Sequence, residues 1–127
     1  MCVGAAQGAL EYAVRYMNER TIGGRPIAEL QGLQWKIADM AIQLEGARML
    51  LNRAVRLAGP HGTPPALETA LAKSAANLAA KLVCDEAIQL LGGYGFSREY
   101  PVERAYRDIR AVTYHPFPPE ETLAHAG

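Results

Sequence analysis

Apolar residues recur every three or four positions along most of the chain, which is the spacing of amphipathic α-helices. The first such pattern predicts a helix from Cys2 to about Arg20. Two further patterns predict long helices over residues 28–58 and 66–91, and a shorter helix follows from Pro101, a residue that suits the first helical turn. β-Branched residues never alternate with polar ones over the length of a strand, so the chain is predicted to be helical throughout.

The apolar positions at helical spacing identify a candidate core row in each long helix. In the second helix this row is Leu30, Leu33, Ile37, Met40, Leu44, Ala47, Leu51 and Ala54. In the third helix the row is Leu67, Leu71, Ala75, Leu78, Leu82, Ile88 and Leu91. Four apolar residues of the second helix lie off its row and need a partner surface for their burial, namely Trp35, Ile42, Met49 and Leu50.

Clusters of glycine and proline separate these patterns. Gly23, Gly24 and Pro26 predict a turn after the first helix, and a loop rich in proline and glycine over residues 59–65 joins the second helix to the third. Together the elements predict an all-α fold, an antiparallel up-down four-helix bundle, in one domain over residues 1–114. Three prolines within residues 116–119 predict an irregular proline-rich tail over residues 115–127.

Composition argues against several classes of protein. Thirteen Lys and Arg balance thirteen Asp and Glu among 127 residues, so the basic surface of a nucleic-acid-binding protein is not expected. No apolar run is as long as a membrane span and the first residues do not resemble a signal peptide, so we expect no membrane partner. The two cysteines, Cys2 and Cys84, lie far apart in helical patterns, which favours a reducing, cytoplasmic setting.

Few residues are candidates for catalysis. The two serines, Ser74 and Ser97, do not lie in a strand-to-helix nucleophile elbow, so a serine hydrolase is not expected. No glutamate has a histidine three residues after it, so the sequence contains no di-iron motif and no metal site is expected. We interpret His61, His115 and His125 as solvated loop residues.

Two short segments could hold an anionic ligand. Residues 89–96, Gln-Leu-Leu-Gly-Gly-Tyr-Gly-Phe, end a helix with bare backbone beside an amide side chain, where a phosphate or ribose could approach main-chain donors. A glycine C-cap followed by a tight turn explains the same residues without a ligand. Arg20 and Arg25 flank a glycine turn and could pair with an anionic cofactor, although basic residues are also common at helix ends.

Several motifs follow one another in a characteristic order along the chain. They are Ala-Ala-Gln-Gly-Ala-Leu at 5–10, Glu-Arg at 19–20, Gly-Arg-Pro-Ile-Ala-Glu at 24–29, Gln-Gly-Leu-Gln-Trp-Lys-Ile-Ala-Asp-Met at 31–40, Glu-Gly-Ala-Arg at 45–48, Gln-Leu-Leu-Gly-Gly-Tyr-Gly at 89–95, Glu-Tyr-Pro-Val-Glu-Arg at 99–104 and Tyr-Arg-Asp at 106–108. Up to about Arg110, this order resembles the C-terminal helical domain of acyl-CoA dehydrogenases. The resemblance implies a four-helix bundle, FAD as cofactor, and oxidation of an acyl-CoA thioester to the 2,3-enoyl product.

The resemblance also implies the residues that contact the cofactor, which in this family lies across a subunit boundary. Arg20 matches the arginine that reaches the pyrophosphate of the neighbouring subunit's FAD, and Gln31 matches a glutamine beside that cofactor. Gln89, Gly92 and Gly93 match the segment that holds the adenine-side phosphate and ribose.

The chain departs from the family pattern at two positions. Gly23 stands where the family has a phenylalanine, which removes an aromatic surface that FAD would touch. Pro116 stands where the family commonly has its catalytic glutamate, so no catalytic residue is assigned, and Glu120 and Glu121 of the tail are the remaining substitutes. The domains that wall the flavin and the acyl pocket in this family lie outside this sequence.

The resemblance therefore implies the C-terminal FAD-contacting and oligomerisation domain of a flavin-dependent acyl-CoA dehydrogenase, inactive as an isolated chain. Its partners would be copies of itself in a dimer or tetramer, or a chain that supplies the missing domains, with acyl-CoA bound in the complete enzyme. The alternative is a non-catalytic helical scaffold or partner subunit derived from the same family. Neighbouring coding sequence with the N-terminal half of an acyl-CoA dehydrogenase would favour the enzyme. A flavin absorbance spectrum of the purified chain is the most informative single measurement.

Overall fold

The computed structural model describes residues 1–59, 62–116 and 118–124 of the chain. The helices are α1 (Cys2–Glu19), α2 (Gln31–Leu57), α3 (Ala66–Leu91), α4 (Pro101–Val112) and α5 (Pro119–Ala124). Strands β1 (Thr21–Ile22) and β2 (Arg25–Pro26) form an antiparallel hairpin, and 3₁₀ segments cover Ile27–Glu29 and Gly92–Phe96. Among the described residues, no helix is both long enough and apolar enough to cross a membrane.

Helices α1 to α4 form the predicted antiparallel up-down four-helix bundle, which confirms the fold class. Helix α3 is central, because it packs against α1, α2, α4 and α5. The largest fully buried side chains include Met40 and Leu44 of α2, Val83 of α3 and Val102 of α4. The removal of these apolar side chains from water is the main source of the stability of such a core.

The inward face of α3 differs from the predicted row. Its buried residues are mostly small and include Ala70, Ala72, Ala79, Ala80, Val83, Cys84 and Ala87. Four members of the predicted row are instead 39 to 70 % exposed, namely Leu67, Leu71, Leu78 and Leu82, and we call these residues the outer leucine face. The prediction was wrong at these positions because α3 is apolar on several sides, so helical spacing alone does not identify the inward one.

Helix α2 agrees with its predicted row in the middle and departs from it elsewhere. The buried members are Met40, Leu44, Ala47 and Ala54, whereas Leu30 and Leu51 are 52 and 39 % exposed. The off-row residues Trp35, Ile42 and Met49 are 59 to 65 % exposed, and Leu50 is half-buried. The helix begins three residues later than predicted, because Ile27–Glu29 forms a 3₁₀ segment and Leu30 has an extended backbone.

The sequence patterns did not predict the hairpin between α1 and α2. Its strands contain two residues each, which is too short for an alternating pattern to be visible. Gly23 and Gly24 form its turn with φ angles of 61° and 82°, a conformation that L-residues with a side chain rarely adopt. The hairpin fixes the direction in which the chain leaves α1, and this sets the position of Arg20.

The tail was predicted to be irregular, but the structure has helix α5 in it. Its first residue is Pro119, which suits a first helical turn because the backbone N–H that proline lacks would have no partner there. Glu121 follows in the first turn, and acidic residues favour the positive end of a helix. Lys73 Nζ donates a hydrogen bond to Thr122 Oγ1 at 3.3 Å, which connects α5 to the first half of α3.

Both cysteines are free thiols. Cys2 Sγ donates a hydrogen bond to Asn77 Oδ1 at 3.3 Å, at the start of α1. Cys84 is fully buried, and this burial, with a smaller contribution from Cys2, raises the pKa of its thiol to about 12. The Cys84 thiol therefore stays protonated at neutral pH and acts as a small core residue.

Candidate functional site

Arg20 lies between α1 and the hairpin, and its backbone is held on both sides. Its N–H donates to the carbonyl oxygen of Tyr16 at 2.8 Å, and its own carbonyl accepts from the Ile27 N–H at 2.8 Å. The side chain is exposed, and its guanidinium carbon lies 5.9 Å from the centroid of the Tyr94 ring. The structure therefore places the Arg20 side chain beside the segment that follows α3.

The 3₁₀ segment Gly92–Phe96 has one open side and one packed side. Gly92 has a φ of 60°, which a residue with a side chain would adopt only under strain. A Cβ atom on Gly92 or Gly93 would meet no atom of the described residues within 4 Å, so a ligand can approach the backbone there. Gly95 is buried, and a Cβ atom on it would collide with the backbone of Ile88.

Two exposed glutamines accompany these elements. Gln89 lies in the last turn of α3, and its carbonyl accepts a hydrogen bond from the Gly92 N–H. Gln31 is the first residue of α2 and comes directly after Leu30, whose N–H donates to the Ile27 carbonyl at 3.0 Å. The structure thus places Gln89 directly before the segment Gly92–Phe96. It places Gln31 after the hairpin and the 3₁₀ segment Ile27–Glu29 that follow Arg20.

A group of three tyrosines, Tyr16, Tyr94 and Tyr100, joins these parts, and we call it the tyrosine cluster. Its ring centroids are 5.2 to 6.5 Å apart, and two of the three pairs meet edge to face, a favourable arrangement for aromatic rings. Partial burial raises the pKa of Tyr100, and the neighbouring phenols of Tyr94 and Tyr16 add to the effect. No sequence pattern predicts this cluster, because contacts between separate elements form it.

The position predicted for the catalytic base, Pro116, and the two candidate glutamates lie in the tail. Pro116 is exposed, and Glu121 is an exposed residue of α5, whereas the side chain of Glu120 lies outside the described part of the chain. Helix α5 contacts α3 at Lys73. Lys73 lies nineteen positions before Gly92, which corresponds to about 28 Å at the rise of an α-helix. The structure does not bring Glu121 to the segment Gly92–Phe96.

Among the remaining titratable residues, Glu103 and Arg107 form a close ion pair. His115 is exposed in a bend after α4, and the predictions for His61 and His125 fall outside the described residues. Glu103 accepts hydrogen bonds from Arg107 at 2.8 and 3.1 Å, and this contact lowers the pKa of the Glu103 carboxyl. Within the described ranges, no three His, Cys, Asp or Glu side chains lie close enough together to hold a metal ion.

Residues 1–115 match a family model described as "Acyl-CoA dehydrogenase, C-terminal domain". The chain is 47 % identical over 108 residues to the mitochondrial short-chain specific acyl-CoA dehydrogenase of Sus scrofa, a match that covers 85 % of this chain and 26 % of that protein. It is 44 % identical over 108 residues to the acryloyl-CoA reductase (NADH) of Anaerotignum propionicum, with coverages of 85 % and 27 %. The chain therefore spans about a quarter of the length of these relatives.

Two solved structures show the same similarity in three dimensions. The butyryl-CoA dehydrogenase of Megasphaera elsdenii superposes with a TM-score of 0.93 at 37 % identity, over 99 % of this chain and 33 % of that one. A glutaryl-CoA dehydrogenase of Mycobacterium smegmatis in complex with FADH2 superposes with a TM-score of 0.92 at 27 % identity, over 99 % and 32 %. The similar proteins named here thus include dehydrogenases and a reductase.

Proposed function

The chain belongs to the acyl-CoA dehydrogenase family, and we propose that it serves as the C-terminal FAD-contacting and oligomerisation domain of such an enzyme. The reaction would be the 2,3-dehydrogenation of an acyl-CoA thioester, in a complete enzyme that also provides the acyl-CoA site. FAD, when bound, supplies the acceptor for the hydride that leaves the substrate. The residues of this chain would hold the cofactor and bring subunits together.

The observation that carries this proposal is the position of Arg20 beside the segment Gly92–Phe96. A diphosphate is held best by a fixed cation together with main-chain N–H donors. Arg20 supplies an exposed guanidinium, and the backbone at Gly93 is open to a ligand, whereas the Gly92 N–H is already bonded to the Gln89 carbonyl. These parts are distant in the sequence, and the contact with Tyr94 joins them. The residues present therefore fit the diphosphate of FAD.

The two glutamines extend the same proposal to the rest of the cofactor. Gln31 and Gln89 are exposed, and an amide side chain can both donate and accept hydrogen bonds. They would suit the ribose hydroxyls and the adenine edge of a dinucleotide. Gly23 leaves the hairpin without an aromatic side chain at its turn, so cofactor binding would depend mainly on Arg20 and the segment that follows α3.

Exposed apolar residues support the proposed role in oligomerisation. The outer leucine face of α3 forms one stripe, because spacings of four and seven residues return to the same side of a helix. Trp35, Ile42 and Met49 form a second stripe along α2 with a spacing of seven. Contiguous apolar surface of this kind commonly marks a contact with another subunit. We propose that the chain forms a homo-oligomer through these stripes or pairs with a chain that supplies the other domains.

The second candidate function is a non-catalytic scaffold or partner subunit. It is favoured by Pro116, which provides no proton acceptor at the position where the family commonly has its glutamate. Both candidates would use the same oligomer contacts, so the oligomeric state does not distinguish them. Binding of FAD does distinguish them, since only the first candidate requires it.

We expect the Arg20→Ala variant to bind FAD at least roughly tenfold more weakly than the parent chain, because hydrogen bonds to a charged group contribute about 1.5–3 kcal/mol. The measurement is equilibrium dialysis of the purified chain against FAD, followed by the flavin absorbance. Circular dichroism should show an unchanged helical spectrum, since the Arg20 side chain is exposed and its backbone hydrogen bonds remain.

A matched control is available on α1, the helix that precedes Arg20. Arg15 lies over the ring of Tyr12 at 5.9 Å, the same distance as Arg20 from the Tyr94 centroid, and Arg15→Ala should leave FAD affinity unchanged. Equal losses in both variants would mean that only net charge matters and would contradict the assignment. A parent chain that binds no FAD even together with a chain that supplies the other domains would favour the scaffold.

We expect the isolated chain to show no acyl-CoA dehydrogenase turnover, because Pro116 cannot remove the α-proton of a thioester. The assay combines the purified chain with FAD, acyl-CoA thioesters of several lengths and an artificial electron acceptor. Turnover that disappears in Glu120→Gln or Glu121→Gln would overturn this expectation and would identify the base. A full-length enzyme of the family is the positive control.

A further inference from the structure

Tyr94 is positioned to restrict the Arg20 side chain. The guanidinium carbon of Arg20 lies 5.9 Å from the centroid of the Tyr94 ring, within the range at which a cation is attracted to an aromatic face. An exposed arginine otherwise samples many rotamers, and it loses this freedom when it binds a ligand. A ring beneath the guanidinium reduces that loss, because the side chain is already restricted before the ligand arrives.

The Tyr94 ring is itself held by the rest of the tyrosine cluster. Tyr100, the residue that precedes α4, lies 5.2 Å from it at an interplanar angle of 38°. Tyr16 of α1 lies 6.5 Å from it at 66°. The Tyr16 carbonyl also accepts the hydrogen bond from the Arg20 N–H, so the same cluster contacts both the backbone and the side chain of Arg20.

We infer that Tyr94 is a positioning residue that holds the Arg20 guanidinium in place for the diphosphate of FAD. This inference rests on the proposed function, because it concerns the same site. Tyr94 acts through Arg20 and not by its own contact with the cofactor. Its aromatic ring is therefore the part that matters, and its hydroxyl group is not.

The first experiment compares ligand affinities of three variants. Tyr94→Leu should weaken binding of FAD and of inorganic pyrophosphate by about two- to fivefold, the range expected for an exposed cation–π contact. Tyr94→Phe should restore the parent affinity because it keeps the ring. Tyr12→Leu removes the matching ring beneath Arg15 and should have no effect. An equal loss in Tyr94→Phe and Tyr94→Leu would overturn the inference.

A double-mutant comparison separates positioning from direct contact. In the Arg20→Ala background, Tyr94→Leu should cause no further loss of affinity for FAD. The same fold-loss in both backgrounds would show that the Tyr94 ring contacts the cofactor itself, and this result would also overturn the inference. Thermal unfolding of each variant shows whether the fold is retained.

A measurement without ligand keeps the inference separate from the proposed function. Nitrogen-15 relaxation of the arginine Nε groups should show less motion for Arg20 than for Arg25, the exposed arginine of the adjoining hairpin. The Tyr94→Leu variant should raise the mobility of Arg20 to that of Arg25, and Tyr94→Phe should not. If Arg20 is already as mobile as Arg25 in the parent chain, the positioning role is wrong even where FAD binds. If FAD does not bind but the relaxation result holds, the proposed function fails and the restriction of Arg20 by Tyr94 stands.

Discussion

The Gly95→Ala variant is expected to unfold at a temperature lower than that of the parent chain by about 5 °C or more, because overpacking of this kind costs about 1–3 kcal/mol. A Cβ atom at Gly95 would lie 2.8 Å from Ile88 Cα and 3.0 Å from Ile88 C, and it would be closer still to the Ile88 carbonyl oxygen. All three atoms belong to the backbone of α3, which cannot rotate away as a flexible side chain can. The whole segment Gly92–Phe96 must therefore move away from the helix.

Gly93→Ala is the matched control for this prediction. A Cβ atom at Gly93 would meet no atom of the described residues within 4 Å, and its backbone does not have a positive φ. The unfolding temperature of Gly93→Ala, measured by circular dichroism, should stay close to that of the parent. Equal unfolding temperatures for Gly95→Ala and the parent would show that the segment is not packed against α3 as described.

Displacement of this segment should also affect ligand binding. Tyr94 lies within it, so the contact between the Tyr94 ring and Arg20 would be lost together with the packing of Gly95. Gly95→Ala should therefore lower both the stability of the chain and its affinity for FAD. This distinguishes it from Arg20→Ala, which should lower the affinity alone.

The sequence predicts the ends of α3 well because strong local signals lie there. Prolines immediately before Ala66 interrupt any preceding helix, and Gly92 takes a backbone conformation that ends it, so the predicted range 66–91 agrees with the structure. The start of α2 is less clear, since no comparable residue separates the 3₁₀ segment from the helix. Local signals of this kind set element boundaries but not the packing between elements.

The orientation of α3 shows the limit of periodicity. Its leucines and its alanines both recur at helical spacing, and the sequence pattern favours burial of the larger leucines. In the folded chain the alanines face inward, because small side chains allow neighbouring helices to approach closely, and the leucines are left outside. Only the packing against α1 and α2 decides between the two faces.

The candidate site was predicted by resemblance and not by spacing. Arg20 and Gly92 are distant in the sequence, and no local pattern predicts that they lie near each other. The structure adds the contact between Arg20 and Tyr94 and the cluster behind it, which depend on the packing of α1 against the end of α3. The roles of Gln31 and Gln89 toward the cofactor remain proposals.

The purified chain is expected to self-associate at concentrations on the order of tens of micromolar, because the outer leucine face and the stripe on α2 leave large apolar side chains in water. Leu78 is the most exposed leucine of that face, at 70 %, and Ile42 is 65 % exposed on α2. Burial of one such side chain contributes about 1.5–3 kcal/mol, so Leu78→Lys or Ile42→Lys should raise the dissociation constant by roughly tenfold or more.

Sedimentation velocity over a concentration series measures this effect, and Leu57→Lys provides the control. Leu57 is 50 % exposed at the end of α2 and belongs to neither stripe, so its replacement adds the same charge without removing a proposed contact. Loss of association in Leu57→Lys as well would indicate general charge repulsion, and a monomeric parent would contradict the proposed role in oligomerisation. If only Leu78→Lys and Ile42→Lys dissociate, the apolar side chains that the bundle leaves outside on α2 and α3 are interface residues.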